Sequence, residues 1–166
     1  MPITLFFPHL TNRALFFGVI ITPDHRVRFS QAAAYGRMAM ADPETAALYK
    51  TVAEEKDRPI FALLVADFFN APVVDELDVS EYQGTISSPI YVRAHDDFSV
   101  QSVRVIITEN GGTELELGEA TIEAGGTGRW KYTGKTTIPA GTSIRIQVMV
   151  KDRPGNVTNK EQTKVL

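Results

Sequence analysis

Two different periods divide the chain. Between Ser30 and Asn70 apolar residues recur at helical spacing, whereas from about Pro72 onward they alternate with polar ones. Gln31 to Tyr35 is rich in good helix formers, and a first helix is expected through Arg37 to Met40 despite Gly36. Asp42-Pro43-Glu44 is a start signal for a second: a capping carboxylate, a proline suited to the first turn, and an acid at the positive end of the dipole. Thr45, Leu48, Tyr49 and Val52 then fall on one stripe. A third helix restarts at Pro59, with Asp57 or Arg58 as its cap. It runs through Ile60-Phe-Ala-Leu-Leu-Val-Ala66, apolar almost all round, and ends at Asn70 because Pro72 disfavours helical geometry before it. This helix is expected to be the most buried, with Phe68 and Phe69 where helix meets sheet. Met38 and Met40 read as core filler.

Past Pro72 the series Ile90/Val92/Ala94, Val103/Val105/Ile107, Trp130/Tyr132 and Ile144/Ile146/Val148/Val150 each place one face on a core and the other in water. Glu109-Asn-Gly-Gly112, Gly125-Gly126, Pro139-Ala-Gly141 and Asp152-Arg-Pro-Gly-Asn156 supply reversals between them. About seven short strands follow, with turns every ~8–12 residues, the pattern of an antiparallel sandwich. No crossover helix separates them, so a parallel sheet is excluded. The fold class is therefore α+β: an N-terminal segment, residues 1–71, with an extended stretch and two or three helices, then a β-sandwich domain, residues 72–166.

The stretch Pro89-Ile-Tyr-Val-Arg-Ala-His-Asp-Asp-Phe-Ser-Val-Gln-Ser-Val-Arg-Val105 resembles strands B to C of bacterial immunoglobulin-like domains. Pro139 to Asn156, with its Val-x-Asp-x-x-Gly-Asn turn, is similar to their last hairpin. The likeness extends over most of residues 73–166 and implies an immunoglobulin or fibronectin-III type of sandwich. It implies no activity, since that fold carries unrelated functions. Helices feeding such a sandwich also resemble a group of uncharacterised bacterial proteins. The cysteine framework of antibody domains is absent, and Trp130 lies too late in the chain to be their tryptophan.

Composition narrows the chemistry. The chain has 17 basic and 20 acidic residues, a net charge of −3, and no basic stripe on which nucleic acid would bind. With no cysteine, disulfides, thiolate metal sites and cysteine nucleophiles are excluded together, without fixing a cytoplasmic or exported location. His9, His25 and His95 have no ligand spacing. The apolar run Ala14 to Ile21 after Arg13 is too short to span a membrane. It reads as a strand or buried extended segment rather than a targeting segment, and as a partner surface if left uncovered.

No catalytic constellation, cofactor motif or metal motif is recognisable. Asp67 is the one charge on its helix and reads as a carboxylate turned to solvent or bonded to a backbone donor. Asp96-Asp97 and Asp152 with Asn156 are strand-end acids that could lie near one another, and Asp75, Glu76 and Asp78 form a third group. Local turn chemistry explains them, which leaves calcium unlikely. The polar stretch Thr158 to Lys164, with two lysines, reads as a protected sheet edge. The expected function is a non-enzymatic binding or structural module with a protein partner or self-association. One alternative is a carbohydrate-binding or enzyme-accessory module using exposed Trp130 and Tyr132, with Tyr91 and Tyr82. The other is an enzyme at the helix–sandwich junction using Asp67 with Asp75 or Glu76.

Overall fold

A computed structural model describes residues 23–166; His9 and the run Ala14 to Ile21 lie outside them. Three helices, α1 (Pro23–Ala41), α2 (Pro43–Glu55) and α3 (Ile60–Phe69), precede eight strands. The first sheet runs β1 (Val73–Asp78), β2 (Pro89–His95), β6 (Arg129–Thr133), β5 (Thr121–Ile122). The second runs β4 (Glu114–Glu119), β3 (Val100–Glu109), β7 (Ser143–Asp152), β8 (Val157–Val165). All pairings are antiparallel. The α+β architecture is as expected, with eight strands where the pattern gave about seven. Among the described residues no helix is long and apolar enough to cross a membrane.

Strand alternation builds the main core. Val103, Val105 and Ile107 pair with Val150, Val148 and Ile146, while Ile90 and Val92 pair with Tyr132 and Trp130. All these side chains are buried. In β4 the buried position is polar, and Leu115 packs only partly on the core. Glu116 points inward and Leu117 is exposed, because five hydrogen-bond donors wait inside for the carboxylate. Edge strand β8 is polar, as expected, but its lysines do more than blunt it. Lys160 donates to the carbonyls of Val74 and Asp75, and Lys164 to those of Val79, Ser80 and Tyr82. They tie the open side of one sheet to that of the other.

The helices enclose a smaller core of Ala39, Tyr49, Ala53, Leu63 and Leu64, which Phe98 from the β2–β3 loop joins. Four helix expectations need correction. α1 starts at Pro23 rather than near Ser30, since a fixed φ at Pro23 and the acid Asp24 suit a first turn. Met38 and Met40 are exposed, because α1 buries only small residues, Ala32, Gly36 and Ala39, against its neighbours. On α2 the buried stripe is Thr45, Tyr49 and Ala53, leaving Leu48 half exposed. α3 has no side-chain cap: Pro59 holds the capping position, while Asp57 takes a positive φ of 48° in the turn. Asp42 caps α2 as expected, accepting from the Thr45 N–H at 3.1 Å.

Candidate functional site

The junction between α3 and the sandwich gathers three carboxylates from three distant parts of the chain. Asp67 is brought in by α3, whose buried face is Leu63, Leu64 and Asp67, residues one helical turn apart. Asp96 sits in the β2–β3 loop, where one oxygen accepts the N–H groups of Phe98 and Ser99, each at 3.1 Å. Asp152 ends β7. Its Oδ1 accepts the N–H groups of Gly155 (2.8 Å) and Asn156 (2.6 Å), and its Oδ2 accepts from the Asn156 side chain at 2.7 Å. Gly155 makes this turn possible with a φ of +105°. One ligating oxygen from each of the three residues lies within 4.8 Å of the others.

Around this cluster the helical unit is fastened to the sandwich. The Asn156 amide nitrogen is shared with the carbonyls of Asp67, Phe68 and Asn70 at 3.2–3.4 Å, the free carbonyl end of α3. The buried Tyr49 hydroxyl donates to Asp67 Oδ2 and so accepts from Tyr35 at 2.7 Å; its ring stacks on Phe98 with centroids 3.8 Å apart. Lys56 donates to the Asp97 carbonyl, Asn70 to the Asp97 carboxylate, and Arg153 to the Thr45 hydroxyl. Asp96 and Asp97 line a surface groove with Phe69, Asn70, Val73 and His95.

The electrostatics of the cluster are strained. Asp67 is 0% exposed. Burial pushes its carboxyl up to about 8; the Tyr49 hydrogen bond pulls the other way, and nearby Asp96 and Asp152 push further up. Burial likewise raises Asp152, against the opposing hydrogen bonds from Asn156 and Gly155. Burial and the hydrogen bonds to Asp67 and Tyr35 keep the Tyr49 hydroxyl protonated. Two carboxylate oxygens, Asp67 Oδ1 and Asp96 Oδ1, are buried without a hydrogen-bond partner. Buried polar atoms are nearly always satisfied, so such a pair calls for an occupant between the oxygens, a proton or a cation.

The expected positions fare differently. Asp96 and Asp152 do meet, and both perform the turn chemistry expected of them. Asp67 does not turn to solvent or take a backbone donor: it is buried on a tyrosine and beside two acids. The signal was present in the sequence, since Asp67 follows Leu63 and Leu64 by four and three residues. A helix apolar almost all round gave no face on which to place it. The third acidic group stays apart: Asp75 pairs with His95 (2.8 Å), Glu76 with Arg93 (3.9 Å), and Asp78 accepts the Ser80 N–H (2.9 Å). A pairing of Asp67 with Asp75 or Glu76 is not made. Trp130, Tyr132 and Tyr82 are buried, and Arg129 stacks over Tyr91 at 4.0 Å from the ring centre.

Glu116 was not singled out from sequence. It accepts from the hydroxyls of Tyr132 (2.5 Å), Thr136 (2.6 Å) and Tyr82 (3.5 Å) and from the N–H groups of Lys135 (2.6 Å) and Thr136 (3.3 Å). Burial alone would raise its pKa, but these donors together outweigh burial and lower it. It is a structural lock on the β6 end of the sandwich.

No family model matches the chain, and no curated protein does. Among solved structures it is similar to CopC from Methylosinus trichosporium OB3b, at 14% identity and a TM-score of 0.42, over 55% of this chain and 89% of that one. Neither figure is high enough to bring a fold family or an activity to this chain.

Proposed function

We propose that the chain is a non-enzymatic binding or structural module, a helical unit carried on a sandwich of immunoglobulin type. Strand order supports the type. Read in chain order as A to G, with β4 as an added strand, one sheet is A-B-E-D and the other has C-F-G beside that strand. Residues 72–166 would form the sandwich domain and residues 1–71 the N-terminal segment. The single observation that carries the module reading is that the buried Glu116, Asp152 and Tyr49 are committed to architecture. Glu116 holds five donors, Asp152 holds a turn whose Asn156 also grips α3, and Tyr49 joins α2 to α3 through Asp67 and to the β2–β3 loop through Phe98. The carbohydrate-binding alternative loses its support, since Trp130 and Tyr132 pack inside.

Testing this takes two measurements on the full chain. Cross-linking with light scattering is expected to reveal self-association or a stoichiometric partner recovered from the source cells. Incubation with a cell metabolite extract is expected to leave every metabolite unchanged. Turnover by the wild type that Asp67→Asn or Glu116→Gln abolishes, while the variant stays folded, would overturn the reading.

A further inference from the structure

We propose that Asp67, Asp96 and Asp152 together bind one divalent cation of calcium's size at the junction of α3 with the sandwich. Turn chemistry accounts for Asp96 and Asp152 taken alone, but it does not account for Asp67. A fully buried helical carboxylate with a free oxygen has no reason to face two further acids unless something positive lies between them. Among the described residues no lysine, arginine or histidine forms an ion pair with any of the three; the nearby Arg153 is taken by Thr45.

The geometry suits a hard cation. Calcium–oxygen bonds of about 2.3–2.6 Å define a coordination sphere roughly 4.6–5.2 Å across, whereas magnesium's, at about 2.0–2.1 Å, spans only about 4 Å. Three oxygens within 4.8 Å of one another can all reach one ion of the first size, and calcium's tolerance of irregular ligand sets suits carboxylates fixed by three unrelated elements, where magnesium demands near-ideal octahedral geometry. Each carboxylate is also oriented by hydrogen bonds of its own. Tyr49 fixes Asp67 through Oδ2, two loop N–H groups fix Asp96 through Oδ2, and the Gly155–Asn156 turn holds Asp152 through both oxygens, which keep lone pairs for a metal. The oxygens left without partners, Asp67 Oδ1 and Asp96 Oδ1, are those available to a metal, and orientation of ligands by such outer hydrogen bonds is what metal sites require. Half-buried Asp96 borders the surface groove, the side from which an ion and its remaining waters would enter. The site is independent of whether the module's role is structural or partner-binding, and it sets calcium as a ligand where turn chemistry alone made it unlikely.

The test uses the full chain freed of metal by a chelator, titrated calorimetrically with calcium chloride near neutral pH and melted with and without it. One ion per chain is expected, with a melting temperature raised by about 5–10 °C at a hundredfold excess over Kd. Asp67→Asn should abolish the binding heat and Asp96→Asn weaken binding about tenfold or more, both with unchanged circular dichroism. Asp75→Asn, outside the cluster, should bind as the wild type does. No heat and no melting shift with calcium would overturn the proposal and leave a shared proton between Asp67 and Asp96. Wild-type binding by Asp67→Asn, or a response to magnesium without one to calcium, would overturn it equally.

Discussion

In the absence of metal, replacing Asp67 by asparagine should make this protein more stable at neutral pH, although it alters a fully buried group. Asp67 has a folded pKa of about 8 against an ordinary 3.8. An acid with a raised folded pKa contributes fully below 3.8. Its contribution falls as pH rises through about 8, because the unfolded chain releases a proton that the folded chain must keep. Between 3.8 and 7 lie about three units at ~1.4 kcal/mol each, so the folded state forgoes on the order of 4 kcal/mol at pH 7. The groups facing Asp67 are Asp96, Asp152 and Tyr49, with Tyr35 behind Tyr49. Asparagine, like the protonated acid, carries no charge among them, can donate toward the two acids and can still accept from Tyr49. A gain of roughly 2–4 kcal/mol is expected for Asp67→Asn near pH 7, vanishing toward pH 4. Urea unfolding in chelator, followed by the helical circular dichroism signal from about pH 4 to pH 8, measures it. Wild-type stability that is flat or rising over that range, or a variant less stable than wild type at pH 7, would refute the reasoning.

Three further outcomes are expected. Glu116→Ala strands buried hydroxyls and N–H groups and should cost about 2–4 kcal/mol in urea melts. Because the folded pKa of Glu116 is lowered, its contribution is present above the ordinary carboxylate range and is lost as pH falls through its folded value, so acid unfolding of the variant should show less pH dependence there. Gly128→Ala should destabilise by about 1–3 kcal/mol, since Gly128 has a φ of +64° and an added Cβ would sit 2.6 Å from the Ala94 carbonyl oxygen. Residues 72–166 expressed alone should fold, with the single Trp130 buried as judged by its emission, because the sandwich core contains no helical residue; an unfolded fragment would refute the domain division.

Read alone, the sequence determined those features that are local and periodic. Alternation over Val103–Ile107 and Ile144–Val150 dictates strands with one buried face, Gly-containing turns dictate where they reverse, and Asp42-Pro43 dictates where α2 begins. Each is set by dihedral preference or by a side-chain period within a few residues. Alternation also told which positions share a face, but not which face is inward when both sets are equivocal. In β4, Glu116 is buried while Leu115 packs only partly on the core and Leu117 is exposed, decided by Tyr82, Tyr132, Lys135 and Thr136 on other strands and loops.

Only tertiary structure decided the exposure of Met38 and Met40 and the gathering of Asp67, Asp96 and Asp152. Asp67 is separated from Asp152 by most of the sandwich sequence, and no rule of spacing connects them. Their approach depends on how α3 docks against the β7–β8 turn, through Asn156 and the Tyr49–Phe98 stack. A carboxylate's charge state follows from its surroundings in space, and in this chain those surroundings are assembled from distant parts of the sequence.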